Sequence, residues 1–172
     1  MDSGEYYPLS IINYHFYLSF SVHFNAKIMF SKTCEYAIRA IIYIYNKSTT
    51  CECKIGIKEI STEIQSPEHF TAKILQLLSR QEIVSSMKGP NGGFYMSSRQ
   101  GQLNLLEIVK AVDGPHVFTG CLLGLSECDE TKPCPIHTQY KPIRDKMKLM
   151  LLGTTVESLA TKFEGGLVFL SK

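Results

Sequence analysis

No strong excess of one charge runs through this chain of 172 residues: 18 Lys and Arg stand against 16 Asp and Glu, a formal +2. So mild a balance does not argue for a nucleic-acid partner, which has to be read from local features instead. Cysteine is sparse as well. Six in 172 residues are too few for the disulfide scaffold of a small secreted domain. A secretory signal is also missing, since the start carries Asp2 and Glu5 rather than basic residues. Reduced thiols in a cytoplasm are therefore expected, and a tight group of cysteines becomes a question about metals. Glycine and proline number 12 and 7, too few for a collagen-like repeat. A content of 44% hydrophobic and 20% charged residues excludes a disordered chain. There is no internal repeat and no low-complexity tract. A nucleotide loop, a paired-carboxylate site and a nucleophile with an orienting base are all lacking, which argues against an enzyme.

What is present is enough chain for one core, preceded by a segment unlike the rest. Residues 1–28 hold 7 of the 18 Phe and Tyr residues. No charge occurs from Tyr6 through Ala26, but Pro8, Asn13, His15, Ser19, His23 and Asn25 would penalise a bilayer span. From Ile12 to Ile28 the even positions are apolar, a strand period. The Tyr, Phe, Asn, Ile and Ser bias is also what translated AT-rich upstream DNA would give. A mis-called start with Met29 as initiator is preferred to a real added strand.

Ser31 to about Asn46 reads as a helix with Ala37, Ile38, Ile41, Ile42 and Ile44 on its apolar face and Ser31 as cap. Lys47 to Lys54 reads as a polar loop, and Ile57 to Ile64 as a short helix. Ser66-Pro67-Glu68 then opens another: a cap, a proline in the first turn and an acid near the positive dipole end. Its apolar residues Phe70, Ile74, Leu77 and Leu78 leave His69, Lys73, Gln76 and Arg80 pointing elsewhere. Two helices joined by a tight turn make a helix-turn-helix candidate. Ile83–Met87 and Phe94–Met96 read as strands around the turn Gly89-Pro90-Asn91-Gly92-Gly93, with Lys88 at its base. Together these predict a winged helix. Asn104 and Glu107 have capping-box spacing at the start of a helix to about Val112, stopped by Asp113-Gly114-Pro115. Beyond a cysteine-bearing loop, Ile136, Tyr140, Ile143, Met147 and Met150 alternate steps of four and three, a coiled-coil-like seam that wants a partner, most simply its own copy. Thr154 and Glu157 have capping-box spacing before a last short helix to Lys162.

Residues 29–162 resemble the Rrf2 family of bacterial winged-helix regulators, which includes an iron–sulfur cluster regulator and a nitric-oxide sensor. The resemblance is carried by MFSKTCEYAIRA, the wing IVSSMKGPNGGFYMS, LLEIVKAVDG and the loop CLLGLSECDETKPCPIH. It implies a homodimer on double-stranded DNA, with the helix from Ser66 in the major groove and the wing in the minor groove. The residues it points to are Ser66, His69, Lys73 and Arg80 on the helix, and Lys88 and Asn91 on the wing. Family members commonly start at a methionine placed like Met29, which agrees with the preferred reading of the N-terminus.

Cys121-x6-Cys128-x5-Cys134-x2-His137 puts three thiols and an imidazole inside 17 residues. Soft thiolates select zinc, Cu(I) or iron–sulfur clusters. Structural zinc sites usually carry a Cys-x2–4-Cys knuckle, absent here, so the wide gaps favour a cluster while zinc stays open. The resemblance strengthens the cluster, two-iron or four-iron, with Cys121, Cys128 and Cys134 as thiolate ligands and His137 as the fourth. Glu35 is the alternative fourth ligand, since some sensors of the family use a first-helix carboxylate of the partner subunit. The first cysteine gap is six residues where five is common in the family, a difference that a loop absorbs. Cys34 reads as buried filler, and Cys51-Glu52-Cys53 as an ordinary loop.

The expected architecture is mainly α with a small β-hairpin: a winged helix-turn-helix plus a long dimerisation helix. Residues 29–112 form the DNA-binding domain, 113–137 the cluster loop and 138–172 the dimerisation helix and C-terminal segment, with no membrane partner. The alternatives are a cluster-free regulator of the same family controlled by a protein or small-molecule effector, a small zinc-binding protein and, last, a small metalloenzyme.

Overall fold

A computed structural model describes residues 30–126 and 128–164. The expectations for residues 1–28 lie outside the described residues.

Helix α1 spans Lys32–Cys51 and is the central post of the fold. Ser31 caps it, its hydroxyl accepting from the Cys34 N–H. Asp113 clamps the same serine from the far end of the chain, accepting from its backbone N–H at 2.8 Å and from its hydroxyl. α1 runs five residues past the expected end at Asn46, its added turn tied to the far side of the wing where the Ser48 hydroxyl accepts from the Met96 N–H at 3.1 Å, and it stops at Glu52, in a left-handed conformation. Cys51 and Cys53, expected as reduced thiols, are joined by a disulfide in this structure.

Helices α2 (Ile57–Glu63) and α3 (Glu68–Arg80) follow. Arg39 lies over the Tyr36 ring at 4.5 Å and Tyr36 meets Phe70 edge-on at 5.7 Å, so α1 is fastened to α3 through aromatic contacts. The expected Ser66 cap is not formed. Pro67 takes the cap position, and Ser66 is buried with no hydrogen-bond partner for its hydroxyl.

The hairpin is shorter than the sequence predicts: β1 is Ser85–Met87 and β2 is Gly93–Tyr95, paired antiparallel with Ser86 opposite Phe94. Its outer edge is not free. Ile55 and Phe94 exchange two backbone hydrogen bonds of 2.9 Å, tying the wing to the segment after α1. Gly93 permits this approach, since a Cβ there would stand 2.8 Å from the Ile55 carbonyl oxygen.

Helix α4 (Ser98–Gly101) and helix α5 (Leu105–Asp113) come next. In α5 the expected capping box is complete: Asn104 accepts from the Glu107 N–H and Glu107 accepts from the Asn104 N–H. A single 3-10 turn, Pro115–Phe118, buries Phe118 inside the stretch read as loop. Helix α6 spans His137–Leu152 and α7 spans Val156–Glu164. The Thr154–Glu157 box does not form. Thr155 accepts from the Ser158 N–H instead, and Glu157 is taken up by Tyr45, 3.2 Å away, and by Gln102, 2.6 Å away. α7 therefore returns onto α1.

One hydrophobic core joins these pieces, built on Ile41 and Ile44 of α1, Ile60, Ile74, Leu75 and Leu78 of the helix-turn-helix, Val84, Ile108 and Val109, with Leu151 and Val156 closing it from the C-terminal side. The seam on α6 is split along its length. Met147 turns into this core beside Leu151, while Ile143 and Met150 stay about 60% exposed. Among the described residues no helix is long and apolar enough to cross a membrane.

Candidate DNA-reading face and cysteine loop

On α3 the apolar residues Ile74, Leu75 and Leu78 fix which side faces inward, so His69, Lys73, Gln76 and Arg80 share the exposed side at steps of four, three and four. Lys88 and Asn91 are exposed on the wing tip, where Gly89 adopts φ 113, a conformation that side chains other than glycine's rarely take. Helix and wing meet around a groove of about 540 Å³ lined by Gln76, Ser79, Arg80, Ser86 and Lys88, among others. Ser79 and Ser86 hydroxyls sit 3.0 Å apart across its floor. Arg80 and Lys88 thus bring two cations to one groove, the arrangement that holds a phosphate backbone. Of the six residues expected to meet DNA, Ser66 is buried and the other five are exposed. Gln76, absent from those six, belongs to the same face, and its spacing from Lys73 and Arg80 marks it.

A second anchor of the wing lies behind it. Gln100 caps α4 and also donates to the Glu82 carbonyl at 3.0 Å and to the Ser85 hydroxyl at 3.2 Å. The base of β1 is thereby held to α4 rather than by its partner strand alone.

The cysteine loop runs from Thr119 to Ile136 with turns and, among its described residues, no helix or strand. His137 is the first residue of α6 and is buried. Its Nδ1 lies 3.4 Å from the Cys128 sulfur. The Cys134 side chain lies near enough to Cys121 to act on its thiol. The four residues therefore come together as two pairs. Partial desolvation acts to raise the Cys121 thiol, but the N–H groups of Leu123 and Leu125, the Cys134 side chain and the charge of Arg144 outweigh it. The net effect holds the thiol below its ordinary value, toward the thiolate that binds metals. Cys121, Cys128 and Cys134 are uncrosslinked and half-buried. Among the described residues no three His, Cys, Asp or Glu side chains gather as one metal-holding group. The donor set is still the soft, thiolate-rich one that an iron–sulfur cluster takes, and a loop without regular structure can bring two pairs together.

Glu35 stands in the first turn of α1, one carboxylate oxygen 2.7 Å from Lys32 Nζ and the other buried without a hydrogen-bond partner. Cys34 is fully buried. Burial first, then Asp113 and Glu35, push its thiol from the ordinary 9.0 to about 12, so it is an inert filler.

α6 holds the loop by two residues that sequence reasoning passed over. Arg144 Nη1 donates to the Thr119 and Gly120 carbonyls, at 3.4 and 3.0 Å. Lys141 pairs with Glu130 at 3.2 Å and with Asp145 at 3.3 Å, contacts that raise its ammonium above the ordinary value, Glu130 first. Lys141 and Arg144 directly follow the seam residues Tyr140 and Ile143, which was the available signal.

A helix-turn-helix with its second helix exposed, a hairpin wing beside it and basic residues where the two meet define a winged-helix regulator. The family model described as an iron-dependent transcriptional regulator, Rrf2, matches residues 30–162. The chain belongs to the Rrf2 family of transcriptional regulators. It is 27% identical over 134 residues to a chain of Aquifex aeolicus provisionally named an HTH-type transcriptional regulator, covering 77% of this chain and 91% of that one. It is 24% identical over 130 residues to the HTH-type transcriptional regulator IscR of an Enterobacter species, covering 76% and 78% of the two chains. The solved structure of CymR, the global cysteine regulator of B. subtilis, superposes with a TM-score of 0.62 at 24% identity, over 76% of this chain and 95% of that one, a likeness of fold.

Proposed function

We propose that this regulator works as a cytoplasmic homodimer whose cysteine loop binds an iron–sulfur cluster and thereby sets how its two winged helices bind double-stranded DNA. The observation that carries the reading is the approach of Cys128 to His137, 3.4 Å apart at the start of α6, in the loop that also holds the free thiols of Cys121 and Cys134. Three thiolates would supply most of the binding, and the weaker, protonatable His137 would leave the cluster labile enough to respond to iron, redox state or nitric oxide. Glu35 remains the alternative fourth ligand. On the DNA side, His69 and Lys73 at the N-terminal half of α3 would meet base edges, while Arg80, Lys88 and Asn91 would hold phosphates or the minor groove. Ile143 and Met150, exposed on α6, would form part of the dimer seam. In this reading residues 29–112 with α7 make the reading head, 113–137 the sensing loop, and α6 the link between subunits.

Anaerobic purification with iron and sulfide counted per chain tests the cluster. Both elements are expected in wild type, and in none of the variants Cys121→Ala, Cys128→Ala and Cys134→Ala. Wild-type protein free of iron and sulfide would overturn it.

A second reading is favoured by one observation, the separation of the four residues into two pairs rather than one group. It is a cluster-free regulator whose loop thiols or a bound effector carry the signal, and the likeness in fold to the B. subtilis cysteine regulator is in keeping with it. Metal-free protein whose DNA affinity changes with an added effector would favour this reading.

A further inference from the structure

We propose that Arg144 is a positioning residue that carries the chemical state of Cys121 to α6 and to its exposed apolar side. The inference rests on the reading of the loop as the sensing element, whether or not that element holds a metal. Arg144 is 7% exposed. Its guanidinium grips the carbonyls of Thr119 and Gly120, the two residues that lead directly into Cys121. The ring of Tyr140, one turn earlier on α6, lies 5.7 Å from the guanidinium carbon. Arg144 and Cys121 both line a cavity of about 750 Å³, together with Ser31, Asp113, Tyr140 and Met147.

The guanidinium is a rigid planar fork with five donors. Nε is buried with no hydrogen-bond partner among the described residues, and the Asp145 carboxylate stands 4.0 Å from it. A buried fork with a spare donor goes where the loop's acceptors lead, because acceptors lost in a place water reaches poorly are costly. A loop that rearranges when Cys121 is ligated or modified must move the carbonyls of the two preceding residues, and Arg144 must follow them. Arg144 shares the inward side of α6 with Met147 and Leu151, which root the helix in the core. Its displacement is therefore passed to the helix as a roll, and the adjoining Ile143 on the exposed side turns with it. Lys141 provides the contrast. Its pairs with Glu130 and Asp145 are solvent-exposed and screened, a loose tie.

Hydrogen–deuterium exchange of the α6 amides in the reduced full chain, before and after treatment with iodoacetamide, tests the coupling. Mass spectrometry locates the modified thiols, and a Cys121→Ser variant isolates the contribution of Cys121. Wild type and Lys141→Ala are expected to show α6 exchange altered on the order of fivefold on modification, a typical coupling between sites. Arg144→Met should show about the same α6 exchange in both states, with Arg144→Lys in between. A wild-type response in Arg144→Met, or no response at α6 in wild type, overturns the proposal. If Arg144→Met does not fold, Arg144→Lys decides: an undiminished response overturns the proposal and a weakened one supports it. Counting iron and sulfide on the same wild-type sample keeps the two claims apart. Protein without a cluster overturns the cluster, while the iodoacetamide arm still judges Arg144.

Discussion

The reading head and the cysteine loop are built on opposite principles. In the head, α1, α2, α3, α5 and α7 share one core of fully buried aliphatic residues, and even the wing is pinned on two sides, by Ile55 and by Gln100. The loop contributes little to that core, keeps Leu122, Leu123 and Leu125 exposed, and is held by a few polar ties from α6. A recognition surface has to keep its shape to read DNA, whereas the sensor proposed for the loop has to have somewhere to go. The division of packing between the two regions is in keeping with that proposal.

The comparison breaks most visibly if the two regions prove equally important to stability. Ile44→Ala, at a fully buried position of α1, is expected to cost about 2–5 kcal/mol in denaturant unfolding. The triple change of Cys121, Cys128 and Cys134 to Ala should cost the metal-free protein within about 1 kcal/mol. Similar losses from both would mean that the loop is a structural staple.

A smaller effect is expected at the hinge between core and wing. Gly93→Ala forces a Cβ against the Ile55 carbonyl and should cost about 1–3 kcal/mol through overpacking, measured as thermal stability. DNA affinity should fall further than the stability loss alone explains, because the wing is displaced.

Within the head, helix and wing are expected to differ in kind. Lys88→Ala should weaken binding to every sequence and lower the salt-dependence slope by about 1. His69→Ala should cost about 1–3 kcal/mol at its preferred base pair and relax preference there. Titrations at several salt concentrations against two or more operators separate the two outcomes.

The smallest effect distinguishes one cysteine from the others. Cys34, held near 12 by burial, stays protonated when folded while an unfolded chain ionises it near 9.0. Its contribution to stability is therefore complete below pH 9 and is lost as the pH rises toward 12. In native protein at pH 8, iodoacetamide should label the loop thiols and leave Cys34 unmodified, as judged by peptide mass.

What could be read from the sequence follows the same division. The Asn104–Glu107 capping box involves residues three apart, and it forms as read. The Thr154–Glu157 box had the same spacing and failed, because Tyr45 and Gln102, distant in sequence, take the Glu157 carboxylate. No local rule contains that competition. The Ser66 cap failed for a related reason: tertiary packing buried the residue and left Pro67 at the helix entry. Likewise the α6 seam was legible as a period, but which edge of it the chain itself would cover depended on where α5 and the core lay. In the loop the candidate donors Cys121, Cys128, Cys134 and His137 were legible as a spacing. Their pairing, and the hold of Arg144 on the residues before Cys121, were not, because a stretch without helix or strand carries no period to fix its geometry.

The most direct test of the central claim, that the loop governs the head, is the DNA affinity of one anaerobic wild-type preparation before and after the cluster is removed with a chelator, at fixed salt. The account predicts a change in affinity of about tenfold or more, absent in the triple Cys121, Cys128 and Cys134 to Ala variant. Equal affinity of the cluster-bearing and cluster-free wild type on the same operators would contradict it.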